Sequence, residues 1–170
     1  MEYRRLGKTD IEVSAVAFGC WAIVGGFNWG PQDERDSIFV VLHYKIAALR
    51  AAREAGVTFF DTAEIYGEGA LVVQHYEEAE TFEAIARVRE IAARLGEPMA
   101  DVALAWLLAQ EGVASVLAGG RDAEQARANA RAGGLTLPPD AVEALSAATE
   151  PLKRKLGPNA DMWQSESRIR

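Results

Sequence analysis

The residues best suited to chemistry in this sequence are an aspartate and a tyrosine five positions apart, Asp61 and Tyr66. They follow the apolar stretch Val57–Phe60, which predicts a buried strand. Folds that alternate strands and helices build their sites where strands end. A tyrosine acts as a general acid when a cation and a hydrogen-bond partner lower its pKa of ~10, and an aspartate can hold that cation. The alternative is an aspartate that caps a helix and a tyrosine that covers the core rim.

A second candidate site begins at two glycines that follow an apolar run. Val113–Ala118 predicts a strand, Gly119 and Gly120 close it, and residues 122–132 predict a helix. Backbone N–H groups and the helix dipole favour an anion at such a turn, and glycines allow it close to the backbone. The guanidinium of Arg121 can pair with a phosphate through two hydrogen bonds. The turn therefore predicts a phosphate site, although glycine pairs also follow strands that bind nothing.

Composition excludes several classes of protein. The chain has 170 residues, of which 49% are hydrophobic and 25% charged, as in an ordinary soluble globular protein. A formal net charge of −7 repels phosphate backbones, so we expect no nucleic-acid partner. Cys20 is the single cysteine, and one cysteine with two histidines gives no metal-ligand spacing. Met1–Arg5 lacks a signal core and no apolar run approaches the ~20 residues of a membrane helix, so we expect a cytoplasmic protein without membrane contact.

Strands and helices alternate along the chain, which predicts an α/β fold with a mainly parallel sheet, in one domain over residues 1–170. After a hairpin within residues 2–14, the predicted strands are Val16–Gly19, Phe39–Tyr44, Val57–Thr62, Leu71–Tyr76 and Val113–Ala118. The predicted helices are Ile46–Ala55, 77–95, 99–110, 122–132 and a last one near 140–150 that Pro151 ends. The apolar residues of helix 77–95 fall largely on one side: Phe82, Ile85, Ala86, Val88, Ile91 and Leu95.

The segment Val57–Gly67 resembles the signature of the aldo-keto reductases, in which an aspartate and a tyrosine follow the second barrel strand. Arg4–Thr9 resembles the hairpin that plugs that family's barrel, and Phe18–Trp21 resembles its first strand and loop. From about Phe82 onward the chain resembles the family's last two β/α units, including Ala103–Leu107 and Leu117–Arg121. The resemblance implies an NADP(H)-dependent oxidoreductase that reduces aldehydes and ketones to alcohols.

The family's fold is an eight-fold β/α barrel, which needs roughly 250 residues and at least ~200. A chain of 170 residues is too short for that complete barrel. We therefore expect a reduced or partial TIM-like (β/α) barrel with a mainly parallel sheet. In it the counterparts of the family's eighth, first and second strands sit side by side.

The resemblance implies roles for individual catalytic residues. Tyr66 would donate the proton to the carbonyl oxygen, beside Asp61. The lysine that the family pairs with this aspartate has no matching segment, and Lys45 is the candidate substitute, with a solvated lysine at a helix start as the alternative. Val41–Tyr44 resembles the fourth strand, so His43 is implied as the histidine that orients the carbonyl, although it precedes Asp61 in the chain.

The resemblance also implies the cofactor contacts. Val72–Gln74 resembles the sixth strand, whose glutamine holds the nicotinamide carboxamide, and the last β/α turn binds the adenosine 2′-phosphate. Gln125 stands where many members have arginine, so a preference for NADP over NAD would depend on Arg121. Trp21 and Trp29 are also candidate walls of a substrate pocket. The implied cofactor-binding residues are Gly19, Trp21, Gln74, Gly119, Gly120, Arg121, Gln125 and Asn129.

Two functional interpretations follow, because the middle of the barrel is missing and one site-bearing strand is out of order. The first is a carbonyl reductase whose activity is weak or lost. The second is a non-catalytic nucleotide-binding remnant, or an engineered or recombined α/β scaffold, that dimerises. An open half-barrel leaves strand edges and apolar helix faces uncovered, so we expect a homodimer.

Overall fold

The computed structural model describes residues 1–20, 37–61, 79–120 and 122–157. The chain divides into two compact units. The first contains residues 1–71 and 100–136, and the second contains residues 72–99 and 137–170. The single domain expected over residues 1–170 stays a prediction.

The first unit opens with an antiparallel hairpin of β1 (Tyr3–Arg5) and β2 (Glu12–Ser14), which confirms the hairpin predicted from the sequence. The hairpin is fastened to distant parts of the unit. Arg4 Nη1 donates to the carbonyl oxygens of Leu108 at 2.8 Å and Val113 at 3.1 Å. The hairpin is thus held by contacts made more than a hundred residues along the chain, not by its own two short strands alone.

A parallel three-stranded sheet forms the centre of the first unit. Strand β3 (Val16–Gly19) lies between β4 (Phe60–Asp61) and β5 (Val116–Gly119), and both neighbours run parallel to it. The three segments that resemble the family's eighth, first and second strands therefore lie side by side. The α/β class with a parallel sheet is confirmed, and the described residues do not form a closed barrel.

Helices α1 (Ser37–Glu54) and α4 (Ala123–Ala132) pack against each other in the first unit. Small residues form their contact, chiefly alanines. Short side chains of this kind let the two helix backbones approach closely. Together with β3 and the chain before β4 they form a buried cluster of Phe18, Ala48, Ala51, Ala52, Val57, Ala126 and Ala130. Helix α3 (Met99–Leu108) adds Leu108 to a second cluster, whose other buried members are Ala15, Val16, Val116 and Ala118.

The strand predicted at Phe39–Tyr44 is wrong, because this stretch lies inside helix α1. Its β-branched and aromatic residues favour a strand, but such propensities are weak and depend on context. The segment runs directly into the Ala-rich stretch that packs on α4. Extending a helix that has already formed costs much less than nucleating one, so the preceding residues join it.

Helix α1 ends close to the predicted stop at Gly56, which has φ +90°. This backbone conformation strongly favours glycine. The position is also crowded, since a Cβ here would lie 2.9 Å from the hydroxyl oxygen of Tyr3. That hydroxyl donates a 2.9 Å hydrogen bond to the Gly56 carbonyl, which gives the hairpin a second attachment.

The second unit contains helices α2 (Ala79–Leu95) and α5 (Pro139–Leu156), which pack against each other. Ala84, Ile91 and Ala92 are buried positions of α2 at helical spacing. Phe82 and Ile85, which the sequence places on the apolar side, are 62% and 39% exposed. The buried side of α2 is therefore narrower than its apolar residues suggest.

The prediction that Pro151 ends the last helix is wrong, because α5 continues to Leu156. Proline has no N–H to donate, so it leaves the carbonyl of Ala147 without its helical partner. Ala147 and Pro151 are both exposed, and water can replace that partner. None of the helices in the described residues has the length and apolar character needed to cross a membrane.

Candidate functional site

The ends of the three parallel strands meet at one edge of the sheet in the first unit. Gly19 on the central strand lies in register with Asp61 on one side and with Gly119 on the other. Neighbouring strands are ~4.8 Å apart, so these three backbone positions span about 10 Å. The structure therefore brings the predicted acidic residue and the predicted phosphate-binding turn to the same edge.

Asp61 is half-buried at the end of β4 and acts electrostatically on Cys20, which follows the end of β3. Burial raises the pKa of the Cys20 thiol, and the negative charge of Asp61 raises it further. The thiol is consequently held in its neutral form. The sequence analysis did not predict this pair. A signal was present, because both residues come at the ends of predicted strands.

The turn from β5 into α4 is tightly packed at Gly120. A Cβ at this position would lie 3.0 Å from Cε2 of Phe18 and 3.4 Å from the backbone N of Ala126, so a larger residue does not fit without displacement. Asp122 then caps α4, and its carboxylate accepts a 2.8 Å hydrogen bond from the backbone N–H of Gln125. Close packing and the cap together fix where the first turn of α4 begins.

Asn129 holds α4 to the strand end from one side. Its Nδ2 donates a 2.9 Å hydrogen bond to the carbonyl oxygen of Gly119, ten residues earlier. The side-chain amide of Asn129, a predicted cofactor-binding residue, therefore uses one of its N–H donors to position the glycine turn. The contacts of Gln125 and Asn129 with a cofactor stay predictions.

His43 and Lys45 lie in helix α1, and not at the end of a strand. Their side chains are outside the part of the chain whose side chains the structure describes. The strand resemblance that suggested His43 does not correspond to the observed secondary structure. The catalytic role of His43 and the substitution by Lys45 stay predictions.

Four further predicted site residues, and Trp29, lie outside the described residues. They are Trp21, Tyr66, Gln74 and Arg121. Their proposed contacts with substrate or cofactor therefore also stay predictions. Within the described ranges, no three histidine, cysteine, aspartate or glutamate side chains gather in a way that would hold a metal ion.

Part of this sequence is similar to one family of known proteins. Residues 72–150 match the model of the aldo/keto reductase family. The predicted relationship to the aldo-keto reductases is thereby confirmed over this part of the chain.

Individual relatives agree with that match. An aldo-keto reductase of Bacillus subtilis, YhdN, is 44% identical over 69 residues, which is 41% of this chain and 18% of that protein. Probable aldo-keto reductase 1 of Glycine max is 39% identical over 66 residues, covering 39% of this chain and 16% of the soybean protein. A probable voltage-gated potassium channel subunit beta of Arabidopsis thaliana is 38% identical over 69 residues, 41% of this chain and 17% of its own. The matched segments thus span less than a fifth of each relative.

The range matched to the family model covers one half of the candidate site. It includes Gln74 and the turn from Gly119 to Asn129, while Asp61 and Tyr66 precede it. The family relationship thus applies directly to the predicted cofactor-binding turn. Asp61 lies outside the matched range, but Gly19 is in register with both Asp61 and Gly119, so the aspartate and the turn lie at the same edge of the sheet.

Proposed function

We propose that this chain is an NADP(H)-dependent reductase of small aldehydes and ketones, built on a partial β/α barrel. The observation that carries the proposal is the alignment of Asp61 and Gly119 on either side of Gly19 at one sheet edge. It puts the aspartate of the proposed acid–base motif beside the turn that we propose holds the cofactor. In the same proposal the protein acts in the cytoplasm.

The described part of the turn fits the phosphate of a dinucleotide. The first amides of a helix have no acceptor within it, and among the described residues the Asp122 carboxylate accepts from the amide of Gln125. In the proposal the amides of Ala123 and Glu124, at the N-terminus of α4, donate to the phosphate. Glu124, in the same turn, opposes an anion, so we assign Arg121 the compensating charge. Gly119, Gly120, Arg121, Gln125 and Asn129 would hold the adenosine phosphate, with Gly19, Trp21 and Gln74 toward the nicotinamide.

Bound NADPH would supply the hydride for reduction, and the residues of the chain would control the proton. In the proposed site Tyr66 donates a proton from its hydroxyl to the carbonyl oxygen. Asp61 holds a cation near that hydroxyl, since a positive charge lowers the pKa of a phenol. His43 orients the carbonyl, and Lys45 is the proposed source of the cation.

The test of this proposal is the rate of NADPH oxidation with an activated benzaldehyde. Tyr66→Phe removes the proton donor, so we expect the rate to fall by roughly 10²–10⁴-fold. Tyr3→Phe is the matched control, because it makes the same chemical change in the hairpin and should leave the rate unchanged. Equal rates for the unsubstituted protein and Tyr66→Phe would rule out the assignment.

A second candidate function is nucleotide binding without reduction. The observation that favours it is the helical conformation of the segment containing His43, which in the resemblance was a strand of the active site. Titration of NADPH fluorescence separates the two functions. In both, Arg121→Ala should weaken NADPH by roughly tenfold and leave NADH nearly unchanged, because the guanidinium would contact only the 2′-phosphate. Binding together with a rate that does not depend on Tyr66 supports this second function.

A further inference from the structure

Phe18 precedes Gly19 on the central strand and contacts the strand that carries Asp61. Phe18 is 2% exposed, and its ring lies 6.1 Å from the ring of Phe60, centroid to centroid, with the two planes tilted by 45°. Phe60 is the neighbour of Asp61 on β4. The backbone N–H of Phe18 also donates a 2.9 Å hydrogen bond to the carbonyl oxygen of Phe59. Phe18 is thus held to β4 by both its backbone and its side chain.

The same ring limits the glycine turn that follows β5. A Cβ at Gly120 would lie 3.0 Å from Cε2 and 3.5 Å from Cζ of Phe18, and the shorter of these distances is closer than side chains normally approach. The φ angle of Gly120 is not in the positive range that favours glycine. Crowding by Phe18, and not backbone conformation, therefore opposes a larger residue here. Glycine at this position leaves room for the ring as well as for an anion.

The ring of Phe18 cannot move aside easily, because it belongs to a buried cluster. The alanines of that cluster come from α1 and α4: Ala48, Ala51, Ala52, Ala126 and Ala130. Protein interiors are close-packed, so a side chain that shifts must displace its neighbours too. Gly119, next to Gly120 in the turn, is exposed. A steric conflict between the ring and the turn is therefore relieved by movement of the turn.

We propose that Phe18 is a positioning residue of the candidate site, whose ring sets the place of the glycine turn relative to the strand end that carries Asp61. This role rests on the proposed function, because the turn is the proposed phosphate site, but it does not depend on proton donation by Tyr66. Asn129 holds the carbonyl of Gly119 from α4, and Phe18 limits the same turn from β3. Binding groups must be held to within about 0.5 Å of their productive positions, so a small displacement of the turn weakens the cofactor.

An exchange of size between the two side chains tests this role, with NADPH titration of the full chain as the measurement. Gly120→Ala puts a methyl group against the ring and should raise the dissociation constant of NADPH roughly tenfold, because the turn must move. Phe18→Leu removes the ring atoms that limit the turn and should raise it by roughly threefold or more. In the double variant the methyl group occupies part of the space that the ring leaves. Its dissociation constant should therefore lie roughly threefold or more below that of Gly120→Ala alone, and not at the product of the two single effects.

The other end of β3 offers a matched control. A Cβ at Gly133, which follows α4, would lie 3.0 Å from Cγ2 of Val16, and Val16 is 1% exposed. Gly133→Ala and Val16→Ala thus repeat the same kind of change away from the strand ends that form the site. They should lower the thermal midpoint but leave the dissociation constant of NADPH unchanged. A purely structural role of Phe18 would make the two pairs of variants behave alike.

All titrations are made below the thermal midpoint of each variant, so that unfolding does not contribute. Phe18→Leu adds no atoms, and it decides the question by itself if Gly120→Ala does not fold. The role of Phe18 is overturned if the unsubstituted chain binds NADPH but Phe18→Leu binds it equally well, if the two effects multiply in the double variant, or if the Gly133 and Val16 variants weaken NADPH to the same extent. An unsubstituted chain that does not bind NADPH would instead overturn the proposed function, and this role with it.

Discussion

At the scale of single residues, the edge of the parallel sheet brings the Asp61 carboxylate close enough to the Cys20 thiol to raise the pKa of the thiol. Asp61 and Cys20 are separated by forty positions of sequence, but their strands are adjacent. Burial is the larger cause of the raised thiol pKa, and the charge of Asp61 is the smaller one. The thiol therefore reports on the electrostatics of the candidate site without belonging to the catalytic motif.

This coupling predicts how the reactivity of Cys20 depends on pH. The thiolate is the reactive form, so alkylation by iodoacetamide should have its midpoint above the usual range of a cysteine. Asp61→Asn removes the smaller of the two causes, so the midpoint should move to lower pH but remain raised by burial. Asp140→Asn, an exposed aspartate of α5, is the control. A midpoint that does not respond to Asp61→Asn would contradict the placement of these strand ends.

The residue types at the strand ends are identifiable from the sequence alone. The chemistry of their side chains, together with the apolar runs that precede them, predicts Asp61, Gly119 and Gly120 as site residues. The coupling of Cys20 to Asp61 does not follow from their spacing along the chain; its signal was that both residues come at the ends of predicted strands that the resemblance sets side by side. The bond from Asn129 to Gly119 depends on the angle at which α4 leaves β5, which local propensity does not give.

At the scale of elements, α2 and α5 are joined by an ion pair that depends on pH. Lys155 Nζ donates a 2.8 Å hydrogen bond to Oε2 of Glu80. This bond, followed by a hydrogen bond from the backbone of Glu80 itself, lowers the pKa of the Glu80 carboxyl. A carboxyl with a lower pKa in the folded state contributes stability above its unfolded pKa, and the contribution is lost as pH falls through the folded value.

Glu80→Gln should therefore lower the thermal midpoint slightly at neutral pH. The difference from the unsubstituted chain should shrink below the unfolded glutamate pKa of ~4.3 and vanish once the native carboxyl is protonated. Because both side chains are well exposed, the effect at neutral pH should also weaken in high salt. Glu143→Gln, on an exposed position of α5, provides the comparison. A difference that persists unchanged at acid pH would exclude this explanation.

Element boundaries follow local signals where those signals agree with packing. Glycines end α1 and α2 near their predicted stops, and the periodic segments are helices. The prediction fails at Phe39–Tyr44, where strand propensity competes with extension of a helix anchored on α4. It fails again at Pro151, because the cost of a missing hydrogen bond is small where water can replace it.

At the scale of the whole molecule, residues far apart in sequence hold the first unit together. Arg4 is 28% exposed and binds two carbonyl oxygens, of Leu108 and Val113, on either side of the loop before β5. One side chain thus ties the N-terminal hairpin to the segment that leads into β5. Its removal leaves partly buried carbonyls without a donor.

Arg4→Ala should lower the free energy of unfolding by about 1–3 kcal/mol. Arg5→Ala, its exposed neighbour on β1, should change stability by less than about 0.5 kcal/mol. Chemical denaturation with a probe of the whole chain measures both. If the two variants behaved alike, the hairpin would not depend on this attachment.

The sequence by itself determined the α/β class, the hairpin, most helices and the residue types at the strand ends. These follow from local propensity, periodicity and turn chemistry, and the sequence also carried the relationship to the aldo-keto reductases. Tertiary structure alone decided that α1 is helical from Ser37 and that Phe82 is exposed. It also decided that the charge of Asp61 raises the pKa of Cys20. Each of these depends on which surfaces meet, and that is decided by contacts between residues far apart in the chain.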